Sequence, residues 1–92
     1  MSILIMRKRA SQLEPSVWIG KNGLTGAVLN EIKVALEKKE CIKVKILKGA
    51  LEHSKRQEIA HSIVEQSGSQ LVQLVGNVIV LYKKGLNKPK TR

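Results

Sequence analysis

Between residues 24 and 46 the hydrophobic period of the chain changes once, from three-and-four to two, and this change constrains the fold more than any other feature. Leu24, Val28, Leu29, Ile32, Ala35 and Leu36 form one helical stripe, while Asn30, Glu31, Lys33, Glu37 and Lys38 occupy the remainder. Residues 24–39 are therefore predicted as an amphipathic helix that starts directly at the glycines before it. Ile42, Val44 and Ile46 then alternate with Lys43 and Lys45, the pattern of a strand with one apolar face. A one-sided helix followed at once by a one-sided strand hides both apolar surfaces most simply by packing them together, which sets the chain on an α/β course.

The flanking segments extend this reading. Residues 6–14 contain good helix formers, with Arg7, Lys8 and Arg9 making the helix basic, and Pro15 pushes Glu14 out of the helical region. Residues 16–19 are β-branched and aromatic and lead into Gly20-Lys21-Asn22-Gly23, a strand ending in a tight loop. Ser54 and Gln57 have capping-box spacing ahead of an apolar stripe of Ile59, Ala60, Ile63 and Val64, and Gly68 stands where a helix terminator is wanted. Residues 70–75 and 78–83 are β-rich runs separated by Gly76-Asn77, a tight-hairpin signal. The predicted order is α-β-α-β-α-β-β, a two-layer α/β sandwich with a four-stranded mixed sheet. At 92 residues the chain supports one modest core. Residues 1–84 are expected to form a single domain and residues 85–92 a basic flexible tail.

Charge narrows the function. Seventeen Lys and Arg oppose seven acids, all Glu, for a net charge of +10, so a polyanionic partner is the first expectation. One cysteine forms no intrachain disulfide, and the apolar stretch before Arg7 is too short for a signal peptide or a membrane span. A cytoplasmic protein without a membrane partner is expected, and a monomer, because the chain needs no second copy to close its core.

The loop Gly20-Lys21-Asn22-Gly23 is the sharpest feature. A short loop feeding a helix N-terminus offers amides and a dipole to phosphate, Lys21 adds a mobile charge, and the glycines let a sugar-phosphate backbone approach. The same pair of glycines is also compatible with a structural turn. Neither a P-loop nor a three-glycine dinucleotide fingerprint is present, and no cofactor is expected.

The loop resembles the Gly-x-x-Gly clamp of KH domains, although it lies between a strand and a helix. Taken with Val17-Trp-Ile-Gly-Lys-Asn-Gly-Leu-Thr25, Val28-Leu-x-Glu-Ile32, Leu36-Glu37, Ile42-Lys-Val-Lys45 and Val75-Gly-x-x-x-Val-Leu-Tyr82, it resembles the CRM domain, found in small YhbY proteins of prokaryotes and in plant organelle splicing factors. The resemblance spans roughly residues 7–84. It implies a fold like the C-terminal domain of bacterial translation initiation factor three, RNA binding, and association with precursors of the large ribosomal subunit. It also implies that Gly20, Lys21, Asn22 and Gly23 contact RNA, with Arg7, Lys8 and Arg9 on a basic first helix.

Other residues are more ambiguous. Lys43 and Lys45 share a strand face about 7 Å apart; they suit successive phosphates of a single strand, or a solvated face that discourages edge pairing. Lys55, Arg56, Lys83 and Lys84 are read singly as solubilising charge. Trp18 and Tyr82 are the only aromatics, too few for the usual base-stacking platform, so recognition should rest on phosphates and sugars. Trp18 is expected at the core or its edge. Cys41 is read as a small buried residue, and His53 and His61 have no third ligand or Asp orienter. The expected function is non-catalytic RNA binding, with ribosome assembly as the setting implied by the resemblance. A duplex-DNA chromatin protein and a protein-interaction scaffold are the alternatives.

Overall fold

A computed structural model describes residues 14–52 and 54–83. Strand β1 (Val17–Ile19) leads through the glycine loop to helix α1 (Gly26–Lys38), then β2 (Cys41–Ile46), a 3₁₀ segment (Lys48–Glu52), helix α2 (Arg56–Ser67), β3 (Gln70–Val75) and β4 (Val78–Tyr82). The predicted basic helix with Arg7, Lys8 and Arg9, and the C-terminal tail, lie outside the described residues.

The sheet order is β1-β2-β4-β3. Strands β1 and β2 are parallel, with Trp18 beside Lys45 and Ile19 beside Ile46, and β4 is antiparallel to both β2 and β3. Each βα crossover places its helix on the same side, so the sheet is covered by α1 and α2 on one face. Ile32 and Leu36 of α1, Ile59 and Ile63 of α2, and Val17, Ile19, Ile42, Val44, Ile46, Ile79 and Leu81 of the strands form the core. The period-two pattern of β2 is realised: Ile42, Val44 and Ile46 are buried toward the helices while Lys43 and Lys45 take the opposite face. Burying such a branched aliphatic side chain contributes about 1.5–3 kcal/mol, so the apolar pattern fixes which sheet face meets the helices.

Two helix starts differ from the sequence reading. Helix α1 begins two residues later than predicted, because the Thr25 hydroxyl accepts from the Val28 amide at 3.1 Å and caps the helix. Leu24 and Thr25 thus separate the glycine loop from the helix. Helix α2 begins at Arg56 with Lys55 as the capping residue, so the predicted Ser54/Gln57 box is out of register by one. The Lys55 amide instead donates to Glu58 Oε1 at 3.2 Å. Glu58 offers a charged acceptor at the positive end of the helix, which a Gln amide does not. A lysine has no acceptor to return, so only this half of the box can form.

The termini of α2 and of the hairpin follow the prediction. Gly68 adopts φ +72 and its amide donates to the Val64 carbonyl at 3.0 Å. Gly76 has φ +57 whereas Asn77 does not have positive φ, which matches a type II′ rather than a type I′ hairpin. Val72 is the extra residue of a bulge between Leu71 and Gln73.

Candidate functional site

The loop starts where β1 is pinned: the Leu47 amide donates to the Ile19 carbonyl at 2.8 Å, extending the parallel ladder to the last residue before Gly20. Within the loop the Gly23 amide donates to the Gly20 carbonyl at 2.9 Å, closing a four-residue turn with Lys21 and Asn22 at its exposed centre. Gly23 has φ +72, a left-handed conformation that Gly adopts without penalty. The Thr25 amide then donates to the Gly23 carbonyl at 3.1 Å, and the Thr25 cap starts α1. The turn is therefore tied to a strand on one side and a capped helix on the other.

This corrects one part of the expected mechanism. The Gly23 amide is spent inside the turn, and the first turn of α1 lies beyond Leu24 and Thr25. Among the described residues, nothing accepts the Gly20, Lys21 and Asn22 amides, so these are the loop donors left for an anion.

A residue missed in the sequence supports the loop from below. A Cβ on Gly49 would lie 3.2 Å from Lys21 Cα and 3.3 Å from Lys21 Cβ. The 3₁₀ segment, read from the sequence as a plain connection, thus packs its glycine against the loop backbone. Nothing local signals this, because the partner lies on a different crossover.

Several elements meet at the same end of the sheet. The Ile46 amide donates to the Asn77 carbonyl at 2.7 Å, and Arg56 donates to Asn77 Oδ1 at 3.2 Å, bringing the hairpin turn and the start of α2 to the end of β2. The carboxyl ends of β1 and β2, where open α/β sheets commonly bind ligands, therefore carry the loop, the 3₁₀ segment, the start of α2 and the hairpin turn. Lys21, Lys45, Lys48, Lys55 and Arg56 are exposed there, against Glu52 and Glu58. A cleft of about 420 Å³ opens between the loop and α2, lined by Lys21, Asn22, Gly23, Ser54, Glu58 and Ser62 among others. A larger groove of about 550 Å³ runs between β1 and α1, but no loop residue lines it.

The sheet lysines are placed differently from the edge-guarding alternative. Strand β2 is flanked by β1 and β4, so Lys43 and Lys45 do not protect an edge. They stand on the face opposite the helices, with Lys45 exposed near the loop and Lys43 half-buried beside Val80. Trp18 also departs from the expectation of a core position: it is 51% exposed between Val17 at 2% and Ile19 at 0%. With α1 and α2 both packed on the face of Val17 and Ile19, alternation sends the central residue of β1 to the other face.

The remaining candidates are structural or exposed. Lys83, read as solubilising charge, donates from Nζ to the Ser67 carbonyl at 2.6 Å and so closes the C-terminus of α2. Cys41 is half-buried, packing against the Val72–Val80 cluster with Tyr82. His61 is exposed and lies 3.3 Å from Glu65, whereas His53 lies outside the described residues. Among the described residues no three His, Cys, Asp or Glu side chains come together as a metal site, and no helix is long and apolar enough to cross a membrane.

Comparison with known proteins places this arrangement in context. Residues 3–83 match the CRS1/YhbY (CRM) domain. The chain is 40% identical over 79 residues to a Bacillus subtilis protein named probable RNA-binding protein YqeI, covering 86% of this chain and 80% of that one. It is 37% identical over 79 residues to probable RNA-binding protein MJ0652 of Methanocaldococcus jannaschii, covering 86% of this chain but only 58% of that longer protein. A Haemophilus influenzae protein named RNA-binding protein is 40% identical over 74 residues, covering 80% and 73% of the two chains. In three dimensions the chain is similar to the solution structure of the hypothetical protein SAV1595 from Staphylococcus aureus, with a TM-score of 0.78 and 30% identity, covering 95% of this chain and 88% of that one.

Proposed function

Because the chain belongs to the CRS1/YhbY (CRM) domain family, we propose that it is a non-catalytic RNA-binding protein that docks on structured RNA through the Gly20–Gly23 turn and the cations around it. The observation that carries the reading is the turn itself. Lys21 and Asn22 stand exposed on a backbone held by the Ile19 ladder bond, the left-handed Gly23 and the Gly49 support. A rigid protrusion with exposed donors and no Cβ at Gly20 or Gly23 suits close approach of a sugar-phosphate backbone. Relatives named as RNA-binding proteins support RNA as the partner.

Lys21, Lys45, Lys48 and Lys55 supply the surrounding charge, with Lys43 extending it across the sheet and Arg7, Lys8 and Arg9 assigned to the same footprint from the sequence. Ribosomal RNA, met during assembly of the large subunit, is the setting we assign. Residues 1–84 act as one RNA-binding domain, and the basic tail of residues 85–92 is auxiliary.

The test is a titration of the parent protein and Lys21→Glu against structured ribosomal RNA fragments and length-matched duplex DNA at several salt concentrations. With about six phosphates contacted, log affinity falls against log salt with a slope of roughly −4 to −5, and the variant loses about one unit of that slope. Lys21 is exposed, so the variant keeps the parent's circular dichroism and melting curve. A preference for duplex DNA, or unchanged RNA binding by the folded variant, would overturn the loop clamp.

A further inference from the structure

Strand β1 holds an exposed aromatic immediately before the loop. Its neighbours Val17 and Ile19 are buried, so the exposure of Trp18 follows from alternation rather than from a loose strand end. Across the parallel ladder Trp18 pairs with exposed Lys45, Lys45 pairs with Val78, and Val78 pairs with Val75, which is 58% exposed. The end of the sheet face away from α1 and α2 therefore presents, in one row, an indole, an ammonium group and two aliphatic side chains. Trp18 stands two residues before Gly20, about 7 Å along the strand, within the reach of one nucleotide from the turn.

We infer that Trp18 and Lys45 form a base-stacking subsite for an unpaired nucleotide, continuing onto the sheet face away from α1 and α2 the strand of RNA whose backbone the turn holds. Every base has a π-face that an indole can cover, and a lysine one strand away can take the phosphate flanking that base. A lone surface apolar residue would need no explanation. Here the ring lies beside a cation and next to the proposed clamp, in a chain of net charge +10, where an unpaired nucleotide is the ligand that uses both groups. This inference rests on the RNA-binding reading above and adds to it a contact with bases. Paired RNA keeps its bases stacked and cannot use the subsite.

Trp18 is the only tryptophan in the chain, so its emission reports directly on the subsite. The experiment titrates the protein with a short unpaired RNA oligonucleotide and with the matched RNA duplex, following emission, acrylamide accessibility and affinity for the parent, Trp18→Ala and Trp18→Phe. Unpaired RNA should quench Trp18 and shield it from acrylamide, and the duplex should do neither. Trp18→Ala should lower affinity for unpaired RNA by about 5- to 100-fold with the same salt slope, Trp18→Phe should lose less, and duplex affinity should be unchanged. If RNA binds with the Lys21-dependent slope while emission, accessibility and Trp18→Ala affinity stay as they were, the stacking subsite is refuted and the clamp survives. If neither RNA binds, both readings fail together. The emission readout on the parent protein holds whatever the folding of the variants.

Discussion

The two glycines of the turn make separable demands, and substituting each by alanine distinguishes them. At Gly23 the backbone sits at φ +72, and although a Cβ would meet nothing within 4 Å, an L-residue there adopts a left-handed conformation. That conformation costs about 1–2 kcal/mol, part of which is offset by about 0.4–1 kcal/mol from the stiffer unfolded chain. Gly23→Ala should therefore destabilise by about 1 kcal/mol, lowering Tm by roughly 4–8 °C for a domain of this size. At Gly20 the φ is outside the left-handed region and a Cβ also meets nothing within 4 Å. Gly20→Ala should fold as well as the parent, or better by a few tenths of a kcal/mol. Its methyl group nonetheless projects where the RNA backbone is proposed to pass, and intrusion into a packed contact costs about 1–3 kcal/mol, or roughly 5- to 150-fold in affinity. The assays are thermal melts of the free proteins and RNA titration at fixed salt, with Gly23→Asn, which tolerates the left-handed region, as the rescue for Gly23. Full RNA affinity in Gly20→Ala would refute close backbone approach at this residue. A drop in its Tm comparable to that of Gly23→Ala would refute the account of the turn.

Two further substitutions separate structural from binding roles. Lys83→Met removes the ammonium that closes the C-terminus of α2; with a charge-assisted hydrogen bond and a favourable dipole position lost, stability should fall by about 1–2 kcal/mol in urea unfolding, while the salt slope of RNA binding stays unchanged. Thr25→Ala deletes the cap of α1 and should lower stability by about 1 kcal/mol, with the faster amide exchange at Val28 as the local sign of cap loss.

Much of this fold is legible in local patterns. The change from helical to alternating period placed α1 and β2, Gly68 marked the end of α2, and Gly76-Asn77 marked the hairpin, because each is a short-range consequence of side-chain spacing or of a positive φ. The misjudged points share another cause. The capping register of α2 turned on competition between two neighbouring candidates, Gln57 and Glu58, which the stronger charged acceptor won. Lys83 became a helix-closing residue only because β4 runs back beside the end of α2. Gly49 acquired its role only when the second crossover folded under the first.

The sequence by itself determined the alternation that makes β2 apolar on one side and cationic on the other, the order of helices and strands, the glycine turn ahead of α1, and the large excess of positive charge. Those are properties of neighbours along the chain, set by backbone geometry and counting. Tertiary structure alone decided that both helices cover the same sheet face, that β2 lies inside the sheet, and that the glycine turn shares one end of it with the hairpin and the start of α2. Trp18 shows why: Val-Trp-Ile is apolar at all three positions, so alternation cannot say which residue faces outward. Only the packing of α1 and α2 against the face of Val17 and Ile19 leaves the indole exposed beside Lys45.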